Sequence, residues 1–565
     1  MSTANVRVTQ LLTATFLLLG WMALLQAEES DNTLDMYVHQ TDDTYEWKIV
    51  SNQEVDDLRF IVVQLTSQTW LTTEQVNHLE WQHWLEFYIP NELASDVAFL
   101  FITGGSINSS MPNRPDSTLL QVAQTTRNVV VKLPQVPNQP LEFLRDGQGR
   151  SEDDLIAFSW VQFLETNDTS WIAQNAMVKS AVRAMDAATE VLASKEAGQI
   201  SVEKFVVAGG SKRGWTTWLT AAMDSRAIAI IPLVFDALNT RPSMRHHFEA
   251  YGFWSASIGD YVNHGIMPKL QSKELDPLVS YVDPYEYRER LKVPKFIVNS
   301  AGDQFFLPDS SQFYWEGLSN PKYLRYIPNT DHSLDGSDAV ESIAAFLSLV
   351  SHEKDIPNIE WSREDSNSIE VRTTHPPLQA LLWSAHNATS RDFRLLPPDD
   401  ESGMPRGPLY SKRVLSPSVD DGLVFHASVV PRDSGWTAWF VEFVFDVGLS
   451  VPLKLTTNVQ VTPETLPFAG KDSKQDTYLT IHCTSMQQDS NVPKKVLEFL
   501  ANNVEAPNAN HAEHLGRSYF NWKQSKDIRV EGTAVANFLE SVGYVDCRFQ
   551  LESGKGPTLP PIDEQ

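Results

Sequence analysis

Between Asp96 and Ser351 short apolar runs alternate with longer runs whose apolar positions recur every three or four residues. That rhythm predicts strands and helices in turn, and so a largely parallel sheet. "VAFLFITGGS" (97–106) and "NVVVKLP" (128–134) read as strands. Met177, Val178, Ala181, Val182, Met185, Val191 and Leu192 fall at helical spacing, with Gly198 as the expected stop. A strand at Phe205 to Ala208 follows, then a helix carrying Trp215, Trp218 and Leu219. "AIAIIPLVFDALN" (227–239) predicts a strand ending at Asp236, and "KFIVNSAGD" (295–303) and "YLRYIPNTDH" (323–332) two strand-and-loop units. "DAVESIAAFLSLV" (338–350) closes the unit with an amphipathic helix.

The rhythm breaks between Met244 and Leu291, where aromatic-rich helical stretches predict a cap over the sheet, at about 244–291. After His352 the texture turns to short alternating segments such as "SIEVRTT" and "WTAWFVEFVFD", separated by Pro- and Asp-rich turns. These predict an antiparallel β-sandwich-like module over 354–452. The region 453–565 reads as mixed, with "VPKKVLEFLANNV" and "TAVANFLESVGYV" helical and a loose tail from Gly554.

Composition narrows the class. The chain has 565 residues, 42% hydrophobic and 21% charged, which is ordinary for folded globular proteins. Its net charge of −27 repels phosphate backbones and argues against a nucleic-acid partner. Arg7, the apolar stretch Leu11 to Leu25 and small Ala27 ahead of Glu28 form a secretory signal pattern over 1–27. The competing reading is an uncleaved N-terminal anchor. Cleavage near Ala27 predicts a secreted, extracellular protein without a membrane span, whose first folded unit covers 28–353.

Export makes Asn108, Asn167 and Asn387, each in an N-x-[ST] sequence, expected glycan acceptors. Cys483 and Cys547, the two cysteines of the chain, could pair in an oxidising compartment. Two cysteines make no Cys-rich zinc site, and adjacent His246 and His247 lack metal-ligand spacing, so neither metal nor cofactor is expected.

The chemistry is carried by "VVAGGSKRGWTTW" (206–218). Ser211 follows a strand and opens a helix, with Gly209 and Gly214 where a tight turn needs small residues. Position 213, where the usual nucleophile turn has glycine, holds Arg213. Ser211 therefore reads as a nucleophile on a sharp turn or as a helix N-cap.

His332, after the last strand in "IPNTDHSL", stands where a general base belongs in an α/β-hydrolase. Asp303 ends the preceding strand and is the first candidate to orient that imidazole; Asp236 is the alternative acid. The Lys212 amide and Gly105 of the "TGGS" loop are the candidate oxyanion donors. Lys212 and Arg213 could face an acidic substrate group or pair with the chain's own carboxylates. Trp215, Trp218, Phe253 and Trp254 read as pocket lining or as packing.

"GGSKRGWTTW", "VNSAGDQFF", "NTDHSL", "LTSQTW", "WQHWLEFYIP" and "LLWSAHNATSRDFR" resemble the PhoPQ-activated pathogenicity-related protein family over about residues 40 to 460. The resemblance implies an α/β-hydrolase fold with Ser211 as nucleophile and names no substrate. G-x-S-[KR]-x-G is also similar to carbohydrate esterases such as glucuronoyl esterases. The order serine, Gly-Asp, histidine is shared with prolyl-oligopeptidase-type peptidases. The expectation is a serine hydrolase of esterase or peptidase type, acting on a small-molecule, glycan or peptide substrate. The second expectation is a binding or signalling protein on the same scaffold, meeting a protein partner through the C-terminal module.

Overall fold

The structure, a computed structural model, describes residues 34–396, 407–418 and 422–470. Beyond these it describes four strands and residues 495–496 and 539. The chain enters through helix α1 (Leu34–His39) and strands β1 (Glu46–Val55), β2 (Leu58–Thr69), β3 (Glu80–Pro90) and β4 (Val97–Ile102). Helix α2 (Ser117–Thr126), strand β5 (Val130–Leu133) and the hairpin β6 (Leu141–Phe143) and β7 (Gln148–Arg150) follow. Next come α3 (Glu152–Thr166), α4 (Ala173–Ala193), β8 (Lys204–Gly210), α5 (Lys212–Met223) and β9 (Ala227–Leu233). Helices α6 (Thr240–Tyr251), α7 (Gly259–Asn263) and α8 (Asp276–Val282), with short 3₁₀ turns, separate β9 from β10 (Lys295–Ser300). β11 (Lys322–Ile327) and α9 (Ala339–Ser351) complete the unit.

Nine of these strands form one sheet in the order β1-β2-β3-β5-β4-β8-β9-β10-β11. β1, β2, β3 and β5 pair antiparallel, and every pair from β5 to β11 is parallel. Successive side chains of β8 serve opposite faces: Phe205 and Val207 join the core beneath α4 and α5, while Val206 and Ala208 join that beneath α2 and α9. Burial on both faces explains why β4 and β9 read as near-continuous apolar runs, while buried Arg325 of β11 and Lys295 of β10 interrupt theirs.

Three boundaries differ from the sequence reading. The sheet begins fifty residues earlier than Asp96: β1, β2 and β3 follow one another antiparallel with no helix between them, so the strand-and-helix rhythm does not reach them, although β2 and β3 are largely buried. α4 ends at Ala193, ahead of Gly198, which instead takes a left-handed φ of +101° in the following turn. β9 ends at Leu233, where Val234 turns the chain out of the sheet with φ +44°, so Asp236 lies in a loop.

β12 (Ile359–Asp365), β13 (Ser368–Thr373) and β16 (Val424–Ser428) form an antiparallel sheet. β15 (Ser411–Leu415), β14 (Gln379–Asn387), β17 (Trp436–Phe445) and β18 (Leu453–Thr456) form a second, with β19 (Gln460–Thr462) also on β17. Ile369, Val371 and Phe425 of the first share a core with Leu382, Trp439 and Phe443 of the second. That core is continuous with the α2 and α9 side of the large sheet, which seats the module beside the loops after β10 and β11.

Farther on, β20 (Thr477–Ser485), β21 (Asn510–His514), β22 (Arg517–Lys523) and β23 (Tyr544–Ser553) form an antiparallel sheet in the order β21-β22-β20-β23. Cys483 and Cys547 lie on neighbouring strands β20 and β23, at the register shift between His482↔Arg548 and Thr484↔Val545. Their side chains are outside the described residues, as are the signal-like segment 1–27 and the tail.

Candidate active site

The end of β8 and the start of α5 meet at Ser211, whose backbone has φ +58° and ψ −126°. A serine pays for that geometry in steric strain, and the neighbouring turns must hold it there. A Cβ on Gly209 would stand 2.7 Å from the Arg213 carbonyl oxygen, and one on Gly214 would stand 2.8 Å from that of Leu233. Both positions need glycine for close approach rather than for flexibility. Ser211 occupies the N-cap position of α5, yet its hydroxyl makes no capping bond.

The hydroxyl instead lies 2.9 Å from Nε2 of His332, which sits in the loop after β11. The other ring nitrogen, Nδ1, lies 2.7 Å from Oδ2 of Asp303, in the loop after β10. The backbone N–H groups of Phe305 and Phe306 donate to Oδ1 of Asp303 at 2.7 and 3.3 Å. The Asp303 carboxylate is thus fixed by the chain's own turn, buried, and aimed at the imidazole. The Phe305 ring packs over His332 with centroids 4.2 Å apart.

Asp236 does not join this line. It is buried and accepts hydrogen bonds from the hydroxyls of Tyr314 and Tyr326, each 2.6 Å long. Burial pushes its carboxyl up to about 7, against the lowering effect of the two tyrosines.

Lys212 and Arg213 pair with the protein's own carboxylates at the start of α3. Lys212 Nζ lies 2.8 Å from Glu152 and 3.1 Å from Asp153, while Arg213 reaches Glu152 with both terminal nitrogens, at 2.9 and 2.7 Å. Burial raises the Glu152 carboxyl, but Arg213 and Lys212 outweigh it and hold the group down at about 2. The Arg213 guanidinium also lies against the "TGGS" loop: a Cβ on Gly104 would be 2.6 Å from Nη2. Gly105, with φ +144°, packs on Gln135, whose N–H donates to the Gly104 carbonyl at 3.0 Å. As first residue of α5, Lys212 carries a backbone N–H that the helix itself leaves unpaired.

Gln304 was not singled out from sequence. Its Oε1 accepts from the His332 N–H at 3.0 Å, and its Nε2 donates to the Leu395 carbonyl at 2.5 Å. The residue thereby ties the histidine loop to the segment after β14. Its position beside the Gly-Asp pair was the available signal, but the contact spans chain distances no local pattern encodes.

Beside Ser211 lies a small apolar pocket walled by Trp160, Trp215, Phe235 and Phe306, and roofed by Met244, Ile258, Met267 and Leu270 from the segment between β9 and β10. Trp215 lines it and donates its indole N–H to the Val282 carbonyl. Trp218 is buried core, and Trp254 stacks on His247 away from the pocket. Nε2 of His246 lies 2.9 Å from Asp309, while burial holds the His247 ring down at about 3. Among the described residues, the ligand-like cluster Glu364, Glu370 and His426 sits far along the chain, on β12, β13 and β16.

A mostly parallel sheet with helices on both faces and a strained serine turn after a central strand is the α/β-hydrolase scaffold, and this chain is built on it. Residues 34–394 match the family model of the PhoPQ-activated pathogenicity-related protein, and the chain belongs to that family. It is 37% identical over 475 residues to autocrine proliferation repressor protein A of Dictyostelium discoideum, an alignment covering 80% of this chain and 95% of that one. Among solved structures it is similar to acetyl xylan esterase 1 from Thermoanaerobacterium sp. JW/SL YS485, at 13% identity and TM-score 0.40, over 57% of this chain and 93% of that one. The acetyl xylan esterase from Paenibacillus sp. R4 gives 16% identity and TM-score 0.39, over 56% and 92%.

Proposed function

We propose that the protein is a secreted serine hydrolase acting by acyl transfer, with Ser211 as nucleophile, His332 as general base and acid, and Asp303 as the group orienting His332. The observation that carries this reading is the unbroken hydrogen-bonded line from the Ser211 hydroxyl through His332 to Asp303. Ser211 Oγ attacks the substrate carbonyl carbon while its proton passes to His332 Nε2. The developing oxyanion is met by the Lys212 and Gly105 amides. As the carbonyl-to-leaving-group bond breaks, His332 returns the proton to the leaving atom. Water then attacks the acyl-serine, gives one proton to His332, and releases the acid as serine regains its hydrogen.

In this reading residues 28–353 carry the chemistry, the segment at about 244–291 caps the pocket, and 354–452 supports the loops of Asp303 and His332. Gln304's bond to Leu395 favours that last role. No helix among the described residues is long and apolar enough to cross a membrane.

The test is fluorophosphonate labelling of the full chain and of Ser211→Ala. A covalent adduct on wild type that is absent from the folded variant supports the hydrolase. No adduct on folded wild type defeats it. A second reading, a secreted signalling protein on a hydrolase scaffold, draws support from the name of the Dictyostelium relative, an autocrine proliferation repressor. A folded chain inert to the probe favours that reading.

A further inference from the structure

The pocket beside Ser211 has a size, a lining and an orientation that together restrict what the proposed hydrolase can accept. Its volume is about 70 Å³. A cavity of about 150 Å³ holds benzene, so half that space holds an unbranched group of a few heavy atoms. The wall is formed by large buried side chains, among them Trp160, Trp215, Met244, Met267 and Phe306, packed as core rather than as a loose surface.

Its two charged wall residues, Lys212 and Asp153, are spent on each other at 3.1 Å, with Lys212 also on Glu152 and Asp153 also accepting from the Tyr261 hydroxyl at 3.0 Å. Neither is left to pair with a carboxylate or an ammonium on a substrate, and burying an unpaired charge there would be costly.

The orientation follows from the histidine. The leaving atom must receive its proton from Nε2 of His332, so the leaving group lies on the His332 side of Ser211. His332 is not part of the pocket wall, although Phe305, which covers its ring, is. The group that enters the pocket is therefore the one that stays bonded to Ser211.

Resting on the reading of the site as a serine hydrolase, we infer that this pocket is the acyl subsite and that the protein removes short, uncharged acyl groups of about two to four carbons from oxygen, as an esterase. A peptide fits this volume poorly, since its acyl side continues as chain beyond the few heavy atoms the pocket holds. Each methylene that still fits buries further apolar surface, and the first that does not fit must displace packed aromatic rings.

The experiment measures kcat/KM of the full chain on p-nitrophenyl acetate, butyrate and octanoate, on acetate esters of several alcohols, and on a peptide p-nitroanilide. The expected result is a value for the acetate and the butyrate at least tenfold above that for the octanoate, a weaker dependence on the alcohol, and little cleavage of the anilide. Met267→Ala should raise the octanoate-to-acetate ratio about tenfold; if that variant does not fold, Met244→Ala, also in the roof, serves, and the wild-type series decides alone. Ser211-dependent hydrolysis that ignores acyl length, follows the alcohol instead, or favours the anilide overturns the acyl subsite while leaving the hydrolase standing. Absence of both hydrolysis and fluorophosphonate labelling overturns the hydrolase and the subsite together.

Discussion

Arg213 grips Glu152 with two parallel hydrogen bonds of 2.9 and 2.7 Å, and the same guanidinium fills the space beneath Gly104. The bridge therefore sets where the "TGGS" loop lies relative to the Ser211 turn, which makes Arg213 a positioning residue for the proposed oxyanion donors. Removing it should lower kcat by about 10- to 100-fold with little change in KM. Arg213→Lys, which keeps the charge but loses the fork, should recover only part of the loss. Steady-state kinetics on the folded variants checks this, because a merely structural role would lower yield and melting temperature but leave kcat per folded molecule unchanged.

The backbone at Ser211 makes a separate prediction. A non-glycine residue at φ +58° and ψ −126° stores strain of about 1–3 kcal/mol, which glycine does not pay. Ser211→Gly should stabilise the fold by about 1 kcal/mol while abolishing labelling. Ser211→Ala should abolish labelling without that gain. Denaturant unfolding of both variants decides it, and equal stabilities would mean that the turn is unstrained.

Exchanging the two candidate acids should give opposite phenotypes. Asp303→Asn should cut kcat by about 10³- to 10⁴-fold, since an amide cannot hold the imidazole in the tautomer that accepts the serine proton. Asp236→Asn should cost turnover less than about tenfold, because Asp236 bonds two tyrosines rather than the histidine.

Asp236 should appear instead in the pH dependence of stability. Its folded pKa of about 7 stands above the ordinary 3.8, so between those values the folded chain holds a proton that the unfolded chain has lost. Stability from this group is present below the lower value and declines as pH rises toward the upper one. The stability of wild type minus that of Asp236→Asn should therefore fall between about pH 4 and 7 and level off above. Thermal unfolding across that range measures it, and a difference that rises or stays flat would contradict the assignment.

The three N-x-[ST] sites should behave differently if the chain passes through a glycosylating secretory pathway. Asn108 and Asn167 are exposed. Asn387 donates its amide to the Asp392 carbonyl at 2.7 Å and to Ser390 at 3.1 Å, within a turn that its own Oδ1 also caps. Glycopeptide mass spectrometry should find sugar on Asn108 and Asn167 and little on Asn387. Full occupancy of Asn387 would show that sugar is added before its turn has formed.

Much of the architecture could be read from periodicity alone. Strands buried on both faces, such as Phe205–Ala208 and Phe296–Val298, have no choice but to be apolar throughout, and α4 must turn one stripe to the sheet. Where strands are not separated by helices the signal faded. The antiparallel run β1, β2 and β3 lies outside the alternating rhythm even though β2 and β3 are largely buried, and the end of β9 was misjudged because apolar residues continue into the loop through Phe235.

The residue types and their order along the chain, serine then aspartate then histidine, each after a strand, belong to the sequence by itself, because connectivity and hydrophobic period are local properties. Which aspartate meets His332, whether Arg213 and Lys212 face a ligand or Glu152, and how little room remains beside Ser211 were decided only by the tertiary structure. Those outcomes depend on distances of a few ångströms between segments far apart in the chain, set by how the sheet's edge loops, the cap helices and the β-module pack together.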